Sequence, residues 1–177
     1  MRVITGIYKG RHFDVPRTFK ARPTTDFAKE NIFNVLNGYI DLEDASALDL
    51  FAGTGSITLE MLSRGCADVT SVELDRDHAS FIRQCLQKLG EDNCSLIRGD
   101  VFRFLKSCKR KYDVIFADPP YALPDLPNIP DLVLRSNAEE CLLKEGGIFV
   151  FEHGKHNDFS QHPCFIEHRS YGSVNFS

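Results

Sequence analysis

The stretch LDLFAGTGSITLE, residues 48–60, decides the fold. An apolar, strand-like run ends in Gly53 and Gly55, which allow a tight turn and a close approach of backbone to a ligand before a helix begins. Working outward, the same alternation repeats. VTSVEL (69–74) precedes the helical pattern HASFIRQCLQKLG (78–90), and SLIRGD (95–100) precedes VFRFLKSC (101–108). YDVIFAD (112–118) runs into a proline-rich loop, then a helix expected around 129–141 and a strand GIFVFEH (147–153). CFIEHRSYGSVNF (164–176) has the pattern of a terminal strand pair. Strands alternating with helices predict an α/β fold whose parallel sheet is covered on both faces.

Upstream, Thr25 and Asp26 are N-cap candidates for a helix through FAKENIFNVLNG (27–38), with an apolar stripe at Phe27, Ile32, Phe33, Val35 and Leu36 and Gly38 as its stop. MRVITGIYKGRHFDVP (1–16) alternates around YKGR and predicts a two-stranded hairpin that Pro16 ends. The division expected is a basic extension over 1–25, in contact with RNA, and a catalytic domain over 26–177.

The chain has 177 residues, 42% hydrophobic and 26% charged, as expected of one soluble domain with no room for a second. Its N-terminus lacks the apolar core of a signal peptide and no apolar run approaches the roughly 20 residues of a membrane helix, so a cytoplasmic protein with no membrane partner is expected. The six cysteines are scattered without a Cys-x-x-Cys pair, which predicts reduced packing residues and no metal site. His153 and His156 follow a strand in HGKHND and are expected to be solvated loop residues.

Net charge is −4, yet residues 1–30 carry seven Lys/Arg against three acids while the other 147 carry 14 against 22. A basic arm on an acidic body suits a protein whose arm alone meets phosphates, through Lys9, Arg11 and Arg22, although a solvated hairpin gives the same charge pattern.

In doubly wound sheets ligands bind outside the carboxyl ends of the strands, so the polar residues there carry the functional signal. The turn at Phe51, Gly53 and Gly55 departs from the dinucleotide fingerprint, since its third glycine is Thr58, and Asp49 precedes it. A carboxylate there opposes a pyrophosphate and attracts an ammonium group, which favours S-adenosylmethionine. Glu73 lies 20 residues after Gly53, where an acid accepts ribose hydroxyls. Asp100 is placed to accept an adenine amino group, with Val101 against the ring; capping of the following helix is its other role.

The fourth strand ends in Asp118-Pro119-Pro120-Tyr121. Two prolines cannot lie inside a central strand, and they form a stiff ridge displaying carbonyl oxygens and no donors. The amine of a nucleobase is a poor nucleophile because its lone pair is delocalised into the ring. If Asp118 and the Pro119 carbonyl accept its two N–H bonds, the lone pair is aimed at a sulfonium methyl, and Tyr121 can stack on the flipped base.

DLFAGTGSITLE, SVELD, GD and DPPY, in this order, resemble the motifs of amino-group methyltransferases of nucleic acids. MRVITGIYKGRHFDVP, ARPTTDFAKENIFNVL and HRSYGSVNF narrow the resemblance to the RsmD-like bacterial small-subunit ribosomal RNA guanine-N2 methyltransferases. It covers essentially the whole chain, with Phe27 standing where the family often has Arg. The resemblance implies a Rossmann-like class I methyltransferase with a mostly parallel seven-stranded sheet, S-adenosylmethionine as cofactor, and no metal. It implies a guanine of 16S ribosomal RNA in the small subunit as substrate, modified by a monomer. By match, Asp49, Phe51, Gly53, Gly55, Glu73, Asp100 and Val101 hold the cofactor and Asp118, Pro119, Pro120 and Tyr121 form the catalytic motif. Three alternatives stay open: an adenine-N6 methyltransferase of DNA or RNA, a small-molecule methyltransferase, and a catalytically silent RNA-binding assembly factor.

Overall fold

The computed structural model describes residues 1–177. Five strands form the parallel part of one sheet: β1 (Ser46–Leu50), β2 (Asp68–Glu73), β3 (Cys94–Arg98), β4 (Tyr112–Ala117) and β5 (Leu143–His153). A short pair, β6 (Arg169–Tyr171) and β7 (Val174–Phe176), adds an antiparallel edge, giving the order β3-β2-β1-β4-β5-β7-β6. The helices are α1 (Asp26–Asn37), α2 (Ser56–Ser63), α3 (Arg76–Leu89), α4 (Val101–Ser107) and α5 (Ile129–Leu134).

Strand alternation divides the core between two faces. Ala47, Val114, Phe116, Val150 and Phe176 pack with residues of α1, α2 and α3 on one face. Leu48, Leu50, Ile115, Ala117 and Phe151 pack with residues of α4 and α5 on the other. Because β1 is buried along its whole length, it reads as a near-continuous apolar run. Its one charged residue is Asp49, and parity places it on the Ala47 face, beneath α2.

One local expectation is refined and two need correction. The N-terminal hairpin is short: the Val3 N–H bonds the Arg11 carbonyl at 2.9 Å and the Phe13 N–H bonds the Met1 carbonyl at 2.8 Å around the antiparallel Arg2–His12 bridge, and pairing ends at the loop that follows Val3. Its backbone donors turn to α2: Ile4 and Thr5 N–H groups bond the Glu60 carboxylate at 2.8 and 3.0 Å, and the Ile7 N–H reaches the Ser63 carbonyl. Gly6 makes this approach possible, since any Cβ there would fall 1.8 Å from the Ser63 oxygen. The helix expected around 129–141 stops at Leu134, because Arg135 takes a left-handed backbone (φ 52°) and its guanidinium bonds the Leu105 carbonyl at 2.7 Å. His153 is 1% exposed at the end of β5, not in a solvated loop, with Nε2 on the Ser177 hydroxyl at 2.7 Å and Nδ1 on the Gly154 carbonyl.

Candidate active site

The carboxyl ends of β1, β2, β3 and β4 lie side by side, and the polar residues singled out in the sequence gather there. The turn after β1 is built from three left-handed positions, Phe51 (φ 60°), Gly53 (φ 58°) and Gly55 (φ 82°). Gly55 is needed for space as well as for its dihedral, because a Cβ there would lie 2.9 Å from Ile82 of α3.

Glu73 holds this turn. One carboxylate oxygen accepts the Gly53 N–H at 2.7 Å and the other accepts the Asp75 N–H at 2.8 Å. His78 stands 3.7 Å from the second oxygen, and Phe19 covers His78 with ring centroids 4.6 Å apart. Ala21 lies over Gly53, 3.6 Å from where a Cβ would be. The segment from Phe19 to Ala21 therefore roofs the glycine turn. At β3, Asp100 caps α4 by accepting the Arg103 N–H at 2.9 Å and stays exposed, so its second oxygen faces outward. Val101 is buried behind it, and Phe51 meets Phe102 edge to face. Leu74, 63% exposed between Glu73 and Asp75, adds an apolar contact that the motif pattern did not mark.

Asp49 stands directly before the turn, as its spacing suggests. Its carboxyl is buried beneath α2 and accepts the Thr58 hydroxyl at 2.6 Å. Burial raises its pKa to about 7. It braces the turn from behind. The remaining donor and acceptor set suits a nucleoside bound at this end: a glycine cradle, a carboxylate held in the turn, and a capping acid with an outward oxygen.

The fourth strand end adjoins the turn directly, for the Asp118 N–H bonds the Leu50 carbonyl at 3.3 Å. Asp118 is half-buried, Pro119 buried, Pro120 exposed, and the Tyr121 ring 48% exposed. The Tyr121 hydroxyl donates to Glu152 at 2.9 Å. Glu152, buried near the end of β5, escaped the motif pattern because only the pairing of β4 with β5 brings it beside Asp118. Burial, and then the Glu152 carboxyl, hold the Asp118 pKa well above the ordinary carboxylate range. The same two causes push the Tyr121 hydroxyl upward.

The proposed arm residues do not share one location. Arg22 is exposed beside the roof, its guanidinium donating to the Phe19 carbonyl. Lys9 and Arg11 are exposed at the other end of α2 and α3, where Tyr8 N–H bonds Ser63 and Arg11 bonds the Lys88 carbonyl at 3.3 Å. Away from this end, a largely apolar cavity of about 760 Å³ lies around Leu36, Tyr39, Ile148, Phe149 and Ile166.

The family described as Conserved hypothetical protein 95 matches residues 1–177. The chain belongs to this family, the RsmD family. It is 38% identical over 156 residues to "Ribosomal RNA small subunit methyltransferase D" of Haemophilus influenzae, covering 86% of this chain and 78% of that protein. A relative of the same description from Escherichia coli is 36% identical over 121 residues, a stretch that covers 68% of this chain and 60% of the relative. Among solved structures, hypothetical protein TTHA0928 of Thermus thermophilus superimposes with a TM-score of 0.84 at 27% identity, covering 100% of this chain and 97% of that one. SMU.776, solved in complex with SAH, shares the fold with a TM-score of 0.60 at 21% identity over 75% of this chain and 37% of that one. The RsmD family thus has the Rossmann-like class I methyltransferase architecture that this chain displays. No helix is long and apolar enough to cross a membrane.

Proposed function

We propose that this protein methylates ribosomal RNA with S-adenosylmethionine as donor, and that its target is the exocyclic N2 amino group of a guanine in 16S RNA within the small subunit. The observation that carries the reading is the Asp118-Pro119-Pro120-Tyr121 ridge abutting the glycine turn. The relatives described as small-subunit ribosomal RNA methyltransferases support the RNA substrate. Guanine N2 rests on the resemblance of the flanking motifs.

The donor supplies an electrophilic methyl group on a positively charged sulfur. Asp49, Phe51, Gly53, Gly55, Glu73, Asp100 and Val101 are the residues that would hold it, with Glu73 at the ribose and Asp100 at the adenine. Asp118 and the Pro119 carbonyl accept the two N–H bonds of the target amine and fix its lone pair in line with the methyl group. The Tyr121 face offers a stacking platform for the extruded base, worth about 1–3 kcal/mol in comparable contacts. Lys9, Arg11 and Arg22 are proposed to meet phosphates.

The test is to incubate the protein with methyl-labelled S-adenosylmethionine and, separately, small subunits, free 16S RNA and DNA, then digest and identify the labelled nucleoside. N2-methylguanosine from small subunits is expected. N6-methyladenosine would reassign the amine, and label in no nucleic acid would overturn the reading.

A further inference from the structure

Past the last paired positions of β4 and β5, Ala117 and Phe151, the chain places Asp118 beside Glu152. Both continue the face that carries Phe116 and Val150, so both carboxyls point the same way. They follow directly on the paired Ala117 and Phe151 of adjacent strands, and Glu152 is only 7% exposed. Two carboxylates this close in a water-poor setting do not both ionise, and one proton bridges them. The groups around the pair fix where that proton sits. The Tyr121 hydroxyl donates to Glu152 Oε2 from the turn after β4 and so occupies that oxygen as an acceptor. Asp49, from β1, adds negative charge that further disfavours ionisation of Asp118. His153, the next residue on β5, is committed to Ser177 and Gly154. From β7, Phe176 pairs with Glu152 and brings no charge. The bridging proton is therefore carried by the Asp118 oxygen that faces Glu152, which leaves the other Asp118 oxygen free to accept.

We infer that Glu152 is a positioning residue for methyl transfer: it shares one proton with Asp118, receives that proton as Asp118 takes one from the amine, and pins Tyr121 through its hydroxyl. This rests on the amine-methylation reading above. In the step, the amine lone pair forms the N–C bond while the C–S bond breaks and leaves its electrons on sulfur. The N–H bond that breaks gives its proton to the free Asp118 oxygen, and the bridging proton moves to Glu152. The pair goes from one negative charge to none, and one proton then leaves to water. An isolated Asp118 in this apolar place would have to take the proton with no partner to pass it to.

The discriminating variant is Glu152→Gln, which keeps the size of the side chain and an acceptor for Tyr121 but cannot receive a proton. Loss of a proton-transfer partner is expected to lower kcat about 10²-fold. The KM for S-adenosylmethionine and for RNA should stay within about twofold, and Glu152→Asp, which restores a carboxyl, should recover part of the rate. Carbon-13 NMR of labelled Asp carboxyls, assigned through Asp118→Asn, reads the shared proton without any substrate. The Asp118 midpoint should fall by at least about one pH unit in Glu152→Gln, since its like-charged neighbour is gone. An unmoved midpoint overturns the shared proton, and an unmoved kcat overturns the role in transfer. A wild type that binds S-adenosylhomocysteine yet methylates no nucleic acid overturns the functional reading, and the midpoint alone then decides on the pair.

Discussion

Glu73 and Asp49 differ by one strand and do opposite things. Glu73 has each oxygen on a backbone N–H and keeps further lone pairs for a ligand. Glu73→Gln, which offers an amide N–H toward the Gly53 or Asp75 N–H, should loosen the turn and weaken S-adenosylhomocysteine by about tenfold or more, as calorimetry would show. Saturated turnover should fall much less. Asp49 is the case for pH. Its folded pKa of about 7 lies above the ordinary value of 3.8, so the native state holds a proton that the unfolded chain releases between those values. Its stabilising contribution is full below about pH 4 and is lost as pH rises through 7. Asp49→Asn keeps an acceptor for Thr58 without the titration. At pH 5 and above the variant should become progressively more stable than wild type, by about 1.4 kcal/mol per unit until about pH 7, in urea titrations. A gap that does not widen with pH would show Asp49 ionised in the folded state.

At the scale of elements, the ties between the N-terminal segment and α2 concentrate on one carboxylate. Glu60 is fully buried and accepts from Ile4, Thr5 and Arg64, and it pairs with the Lys29 ammonium 3.5 Å away, a group only 1% exposed that also donates to the Arg2 carbonyl and the Ser56 hydroxyl. Glu60→Gln leaves the Lys29 ammonium buried without its counter-charge, and unfolding free energy should drop by about 3–5 kcal/mol. Replacing Lys29 with Met in the same chain should recover part of that loss; if it does not, the backbone bonds to Ile4 and Thr5 carry the effect. These ties also show what could be read without the structure. The βα units were legible because glycine turns and apolar runs are local signals, and the strand-end acids follow from chain order. Glu152, His78 and the roof of Phe19 and Ala21 were not, because each acquires its place through the register of β4 with β5 or through a contact between elements distant in sequence. The burial of Asp49 beneath α2 is illegible for a related reason. A strand buried on both faces shows no polar alternation from which to judge which side its one acid takes. The hairpin is shorter than its sequence pattern because the backbone donors of Ile4, Thr5 and Ile7 go to Glu60 and Ser63 of α2.

For the whole molecule, the uneven charge of the sequence becomes a question of geometry. An eight-residue α2 at about 1.5 Å per residue separates the strand ends from the Lys9 and Arg11 end by roughly 12 Å. Arg22 alone stands at the mouth, beside the Phe19–Ala21 roof over the glycine turn. A base extruded toward Tyr121 would bring its own flanking phosphates near Arg22, whereas Lys9 and Arg11 would meet only RNA that continues along the side of the protein. The two sets should therefore separate in measurement. Lys9→Ala with Arg11→Ala should reduce the slope of log affinity against log salt by about 1.5, since each phosphate contact contributes roughly 0.7 to 0.9, with kcat on saturating RNA unchanged. Arg22→Ala should lower kcat and alter the slope by no more than one contact. An unchanged slope in the double variant would confine the RNA to the strand-end face and make the basic arm a solvated surface. A lowered kcat in that variant would instead mean that RNA gripped about 12 Å away sets the angle at which the base enters, coupling the far end of α2 to the chemistry at its near end.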